Sequence, residues 1–299
     1  MLNYGLAAAA VSMLLIAVDG VIAKYMLRRF SLKAYVPMVL VIGLIPMLAV
    51  QYLYGGNYNL QQYLPEIILG SAFLAAGYIF YYKALSQAEV SKVTIFSNIQ
   101  PLIIFVFGLF FLGEGISAIP LLGAVLIFIG SSLGIYEKGI RIDRKLVPAV
   151  FANASWGIYW IFMSGAVNVG NYITPLLAAR AIAFIAVMLF YMGQEKGNTV
   201  SAKAKTHAKN NKNRHIGAIA FTILIVGLFI ASFVDSGINI FFSLAISLSF
   251  AVLGSAIISF APMITAVIGK VAFNDRLMTH QLLGLIIAVI GAVLIAITA

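Results

Sequence analysis

Asp19, Arg180 and Asp235 each interrupt a long apolar run of the sequence. A charge placed in hydrocarbon costs roughly 3 kcal/mol or more, so such residues normally face a partner or a cavity. Arg180 can meet a carboxylate as a two-pronged donor, while Asp235 or Asp19 can accept an amine or a proton from a solute. The alternative is a structural pair in which Arg180 and Asp235 neutralise one another inside a bundle. Asp235, Asn239 and Ser243 recur at four-residue steps, so on a helix they share one face. Asn153, Trp156, Trp160 and Ser164 follow steps of three and four and form an aromatic and polar face, suited to the apolar part of a solute or to packing and interfacial anchoring. Asn98 and Ser259 each stand three residues before a proline, Pro101 and Pro262. A proline frees a carbonyl and permits a kink, which makes these positions candidate hinges or ligand groups.

The elements that position these residues follow from composition. Of 299 residues, 63% are hydrophobic and only 9% charged, with a mean hydropathy of +1.05. A soluble domain is about half apolar and a quarter charged, so the fold class is an all-α integral membrane protein. Apolar windows at 4–27, 34–54, 64–86, 91–112, 116–136, 146–167, 172–193, 217–246, 252–273 and 278–298 predict ten transmembrane helices, each near the roughly 20 residues that span a bilayer. The first window is too long for a signal-peptide core and has no basic leader, so it is read as a retained span. The chain has no cysteine, and His207, His215 and His280 lie far apart; thiol chemistry, a metal site and a cofactor are not expected. The net charge of +10 belongs to loops that orient the protein, with no sign of a nucleic-acid surface. Seventeen of the nineteen Lys and Arg residues fall on odd-numbered loops, which places those loops in the cytoplasm and both termini outside the cell membrane. Residues 194–214 are polar and basic, as expected of a solvated cytoplasmic loop or of a segment that meets anionic headgroups.

The sequence also repeats. The stretch from Asn98 aligns without a gap to the stretch from Ser259 at an offset of 161, matching Pro101 to Pro262, Gly108 to Gly269, Glu114 to Asp275, Gly123 to Gly284 and Gly130 to Gly291. Nearer the start of each half, Asp19-Gly20 stands at the position of Trp156-Gly157. Two halves are expected, 1–137 and 146–299, joined by 138–145. Five helices per half is an odd number, so the second half inserts upside down, the inverted arrangement of many secondary transporters, whose solute site lies near the midplane.

The Trp156-Gly157 pair, the helix ends Tyr81-Tyr82-Lys83-Ala84-Leu85 and Ser243-Leu244-Ala245-Ile246, and the recurrence of Pro101 with Glu114 and of Pro262 with Asp275-Arg276 resemble the EamA family of the drug/metabolite transporter superfamily. The resemblance covers nearly the whole chain. It implies a ten-helix transporter, often an exporter of amino acids or other small metabolites, with a cavity lined by helices 3, 4, 8 and 9 and their neighbours. Asp19 departs from it, standing where the family usually has Trp. The termini, placed outside by charge, are opposite to the way the family is often drawn.

The expected function is therefore secondary active transport of a small-molecule substrate across the lipid bilayer by alternating access. Amino acids or related zwitterions suit one arginine and two acids; hydrophobic cations suit the acids and tryptophans. Asp19 or Asp235 would couple flux to protons. No GxxxxGK[ST] loop is present, so direct ATP hydrolysis is not expected. An integral-membrane enzyme on lipid substrates would need clustered acids or histidines, which the scattered acidic residues do not form. The glycine-rich, apolar windows 116–136 and 278–298 read as scaffold or as the surface of a homodimer.

Overall fold

A computed structural model describes residues 2–54, 60–88, 90–111, 115–135, 144–167, 172–197, 214–272 and 279–298. Most of the expected inter-repeat link, most of the basic 194–214 loop, Glu114 and the Asp275-Arg276 pair lie outside the described residues. Thirteen α-helices occur among those described: α1 (Leu2–Leu27), α2 (Leu32–Ile42), α3 (Leu44–Tyr54), α4 (Leu64–Gln87), α5 (Val90–Thr94), α6 (Ile99–Phe110), α7 (Ala118–Ile135), α8 (Val147–Val167), α9 (Thr174–Gly197), α10 (Arg214–Leu248), α11 (Ala251–Ile258), α12 (Ala261–Ala272) and α13 (Thr279–Thr298). Among the described residues, five stretches are long and apolar enough to cross a membrane: Asn3–Leu27, Leu32–Tyr54, Leu60–Gln87, Thr174–Gly193 and Thr222–Leu248. Shorter apolar helices occupy Phe96–Phe110, Ala118–Leu133, Ala251–Thr265 and Ile286–Ile295. Large apolar side chains such as Leu14, Leu48, Leu122 and Ile286 are exposed along these helices, a surface suited to lipid, where helices satisfy their own backbone groups.

Three apolar windows fold as broken helices, each break lying just before a proline. The break between α2 and α3 falls at Gly43, ahead of Pro46; a short 3₁₀ turn, Ile95–Asn98, precedes α6 and Pro101; Ser259-Phe260 separates α11 from α12 and Pro262. Proline offers no N–H to the carbonyl four residues earlier and its ring crowds that carbonyl, which weakens the ladder there; α2 carries Pro37 without a break, whereas at these three places the ladder parts. The proline after each break sits in the first turn of the following helix, where an N–H would have no intrahelical partner.

The strongest helix pairings are α1 with α10, α4 with α8, and α7 with α13. Exchanging the two sequence repeats converts the first pairing into the second and maps the third onto itself. Along α7 and α13 a Cβ on Gly123 would lie 2.6 Å from the Gly291 carbonyl oxygen, and one on Gly130 would lie 2.5 Å from that of Gly284. Contacts that rise along one helix fall along the other, so these two repeat-equivalent helices run antiparallel. The glycines of the two windows read as scaffold or dimer surface are thus used within the chain, where missing side chains let backbones touch.

Filling that seam must push the helices apart. Gly130→Val is expected to lower stability by about 1–3 kcal/mol or more, the usual effect of overpacking, seen as a lower thermal unfolding midpoint in detergent. Gly165→Ala, where an added Cβ meets nothing within 4 Å, should leave the midpoint unchanged.

Candidate functional site

A small internal cavity of about 80 Å³ is lined by α1, α4, α6, α8, α10, α11, α12 and the 3₁₀ turn. The repeat register organises this lining. At the offset of 161, Tyr78 corresponds to Asn239, Tyr81 to Phe242, Ser97 to Ile258 and Gln100 to Ala261; at the offset of 137 that joins Asp19 to Trp156, Ile16 corresponds to Asn153. All twelve residues of these six pairs line the cavity. The cavity therefore lies on the pseudo-twofold axis between the repeats. The pairing is one of register, whereas the side chains differ at all six pairs: an acid corresponds to an indole, a phenol to a phenyl ring, serine and glutamine to isoleucine and alanine, and in the other direction isoleucine and tyrosine of the first repeat correspond to asparagines of the second.

Beside this cavity lies a buried charge network. Asp235, 6% exposed, is carried by α10 and accepts a hydrogen bond at 2.7 Å from Nη2 of Arg180, which α9 holds at 1% exposure. The Tyr78 hydroxyl donates to the same carboxylate at 2.8 Å and accepts from Arg180 Nη1 at 3.2 Å. Arg180 Nε donates to the Leu40 carbonyl at 2.9 Å and Nη2 to that of Val39 at 2.8 Å. Carbonyls in the last turn of a helix run short of intrahelical donors; at the end of α2 the Val39 carbonyl still accepts from the Gly43 N–H at 3.0 Å, and the guanidinium adds a second donor there and one at Leu40.

Gly43 makes the fit possible. A Cβ there would lie 2.0 Å from Arg180 Nη2 and 2.4 Å from Ser236 Oγ, whose hydroxyl donates to the Gly43 carbonyl at 2.8 Å. The offset of 137 carries Gly43 onto Arg180: equivalent positions meet at the axis, and one must be bare for the other to be large.

The structure sorts the sequence-derived candidates. Asp19, Trp156, Trp160, Asp235, Asn239 and Pro262 line the cavity. Arg180 is not among its lining residues, because its donors are turned to the network behind the wall. Asn98 points away, its Nδ2 3.2 Å from Ser131 Oγ on α7, and the Ser259 hydroxyl donates to the Ala256 carbonyl at 2.7 Å. Pro101 is buried outside the lining, and Ser243 donates to the Tyr172 carbonyl at 2.8 Å. Ser97 and Gln100 take the place of Asn98 because the turn before α6 is 3₁₀. Such a turn advances each residue by about 20° more than an α-helix, about 80° over four residues, which rotates the face that α-helical spacing predicts. Tyr78 and Tyr81 escaped an α-helical search for buried charge, although the repeat register points to Tyr78 as the counterpart of Asn239.

The model of the EamA-like transporter family matches this chain twice, over residues 3–136 and 145–297. The chain belongs to the EamA-like transporter family. It is thus a multi-pass membrane transporter, and its two matched segments are the two repeats. A crystal structure of another protein, 15% identical in sequence, shares the fold with a TM-score of 0.67 over 99% of this chain and 98% of that one. No curated protein matches the transporter by sequence.

Removing the cation of the network leaves a buried carboxylate without its charge partner, which typically costs about 3–5 kcal/mol. Arg180→Gln should lower the thermal unfolding midpoint sharply. The double change Arg180→Gln with Asp235→Asn should recover part of that loss, since both charges are then gone; a double variant no better than the single one would show that the pair does not act through charge.

Proposed function

We propose that the chain is a secondary active carrier that moves a small metabolite by alternating access about the central cavity. The observation that carries this reading is the cavity's position on the axis that relates the repeats. Rocking one half against the other around such a point exposes the same residues first to one side and then to the other. In this reading ten spans cross the cell membrane, residues 1–137 and 146–299 form inverted halves, and the charge bias places the odd-numbered loops in the cytoplasm and both termini outside. The proline breaks before Pro101 and Pro262 serve as hinges, since a broken ladder bends with fewer bonds to lose. Net direction follows the gradients of solute and coupling ion.

The coupling ion is the proton and Asp19 is its carrier. Asp235 is held by Arg180 and Tyr78, whereas Asp19 Oδ1 is buried with no hydrogen-bond partner. The amino-acid reading asked Arg180 to clamp a solute carboxylate, and its position outside the lining removes that support.

Counterflow in proteoliposomes tests the carrier. Labelled solutes from a panel of organic cations and amino acids are added outside vesicles loaded with the unlabelled compound. Saturable uptake, accelerated by the internal pool, is expected for at least one class. An imposed proton gradient should change net flux in the parent chain and have no effect in Asp19→Asn. Non-saturating flux without acceleration would make the protein a channel, and equal gradient dependence in Asp19→Asn would take the proton away from Asp19.

A further inference from the structure

Among the described residues the cavity wall holds two acids, Asp19 and Asp235, and no lysine, arginine or histidine. The two acids differ in what they have left to bind. Asp235 accepts from Arg180 and Tyr78, and Arg180 in turn is directed to Val39, Leu40, Tyr78 and Asp235. That set is internally neutral when the carboxylate is ionised. Asp19 is 7% exposed and its Oδ1 accepts from no group. A buried carboxylate oxygen without a donor is costly, and such a group in a native fold calls for a role.

Asp19 shares the cavity wall with the rings of Tyr78, Tyr81, Trp156, Trp160 and Phe242 and with the second acid, Asp235. The repeat partner of Asp19 is Trp156, whose ring centroid lies 4.9 Å from that of Tyr81 and 5.8 Å from that of Tyr78. Trp160 meets Phe242 edge to face at 4.6 Å. Indole and phenol faces attract cations through their quadrupoles and offer nothing to a carboxylate. A cationic group in this cavity thus finds carboxylate and π faces within one wall, and the rest of the solute meets apolar rings.

We infer that the cavity is a site for organic monocations, with the onium group at Asp19 and an aromatic or aliphatic body against Trp156, Trp160 and Phe242. This rests on the carrier reading only in taking the cavity as the solute site. The same lining disfavours zwitterions, whose carboxylate would be left without a donor cation beside an existing carboxylate. The first repeat contributes Asp19, the acid with an unpartnered oxygen, and the second contributes both tryptophans and Phe242; the twofold scaffold has become a site for a molecule with one charged end.

The chain supplies its own probe, because its two tryptophans both line the cavity. The detergent-purified full chain is titrated with benzyltrimethylammonium, phenylalanine and phenylacetate while indole emission is followed. The cation is expected to give a saturable change, phenylalanine and phenylacetate none at equal concentration. Asp19→Asn should weaken the cation by about tenfold or more, as loss of a charge-assisted contact implies, and Asp19→Glu should retain most of it. Gel filtration and the unfolding midpoint establish that each variant is folded. Tighter binding of phenylalanine than of the cation overturns the inference, as do undiminished cation binding by folded Asp19→Asn and the absence of any response in the parent chain. Because emission reports binding without flux, cation binding by a chain that fails counterflow would support this site while removing the carrier.

Discussion

The centre of the molecule is organised by one constraint: a guanidinium and a carboxylate taken out of water must be given every partner they lack. Arg180 reaches two carbonyls of α2, the phenol of α4 and the acid of α10 from its place on α9, so a single side chain ties four helices. In low dielectric such bonds are strong when complete and costly when one is missing. This requirement explains features that look unrelated along the chain: the break after α2, the bare Gly43 and the Tyr78 hydroxyl beside the acid. The ion pair is better understood as a fixture of register and geometry than as a source of net stability.

That fixture also decides what the neighbouring cavity offers a solute. With Arg180 withdrawn behind the wall, the positive charge that sequence reasoning placed at the site is spent, and the remaining character comes from Asp19 and the aromatic rings. The two repeats retain a common register in the backbone, shown by the reciprocal glycine seam of α7 and α13 and by the six lining pairs. Their side chains have diverged at all of those pairs. A repeat architecture supplies a common register, and divergence within it supplies the unlike groups that line this cavity.

The membrane class, the helical segments and the repeat were legible in the chain because they depend on quantities that sum along it: hydropathy over about 20 residues and a register kept across two copies. Asp19, Trp156, Trp160, Asp235 and Asn239 were legible as cavity residues for a related reason, since a polar or amphipathic group in a span has few places to go. Asn98 and Ser259 were placed by α-helical phase, and the phase fails where the ladder breaks. Pro101 and Pro262 pointed to two of the three breaks, but the break before Pro46 was not foreseen and Pro37 lies in an unbroken helix; a proline does not specify whether the ladder parts, whether the preceding turn is 3₁₀ or how far the next helix is rotated.

The sequence by itself determined which groups must be buried and two of the places where the chain breaks, since both follow from the free energy of polar groups and missing N–H donors in hydrocarbon. It left open the partner of each buried charge. Arg180 could meet a solute carboxylate or pair with Asp235, and nothing local distinguishes the two. Only the packing of α9 against α2, α4 and α10 decided whether that pair forms, because a hydrogen bond acts over about 3 Å and the relative positions of residues as far apart in sequence as Arg180 and Asp235 are a property of the assembled bundle.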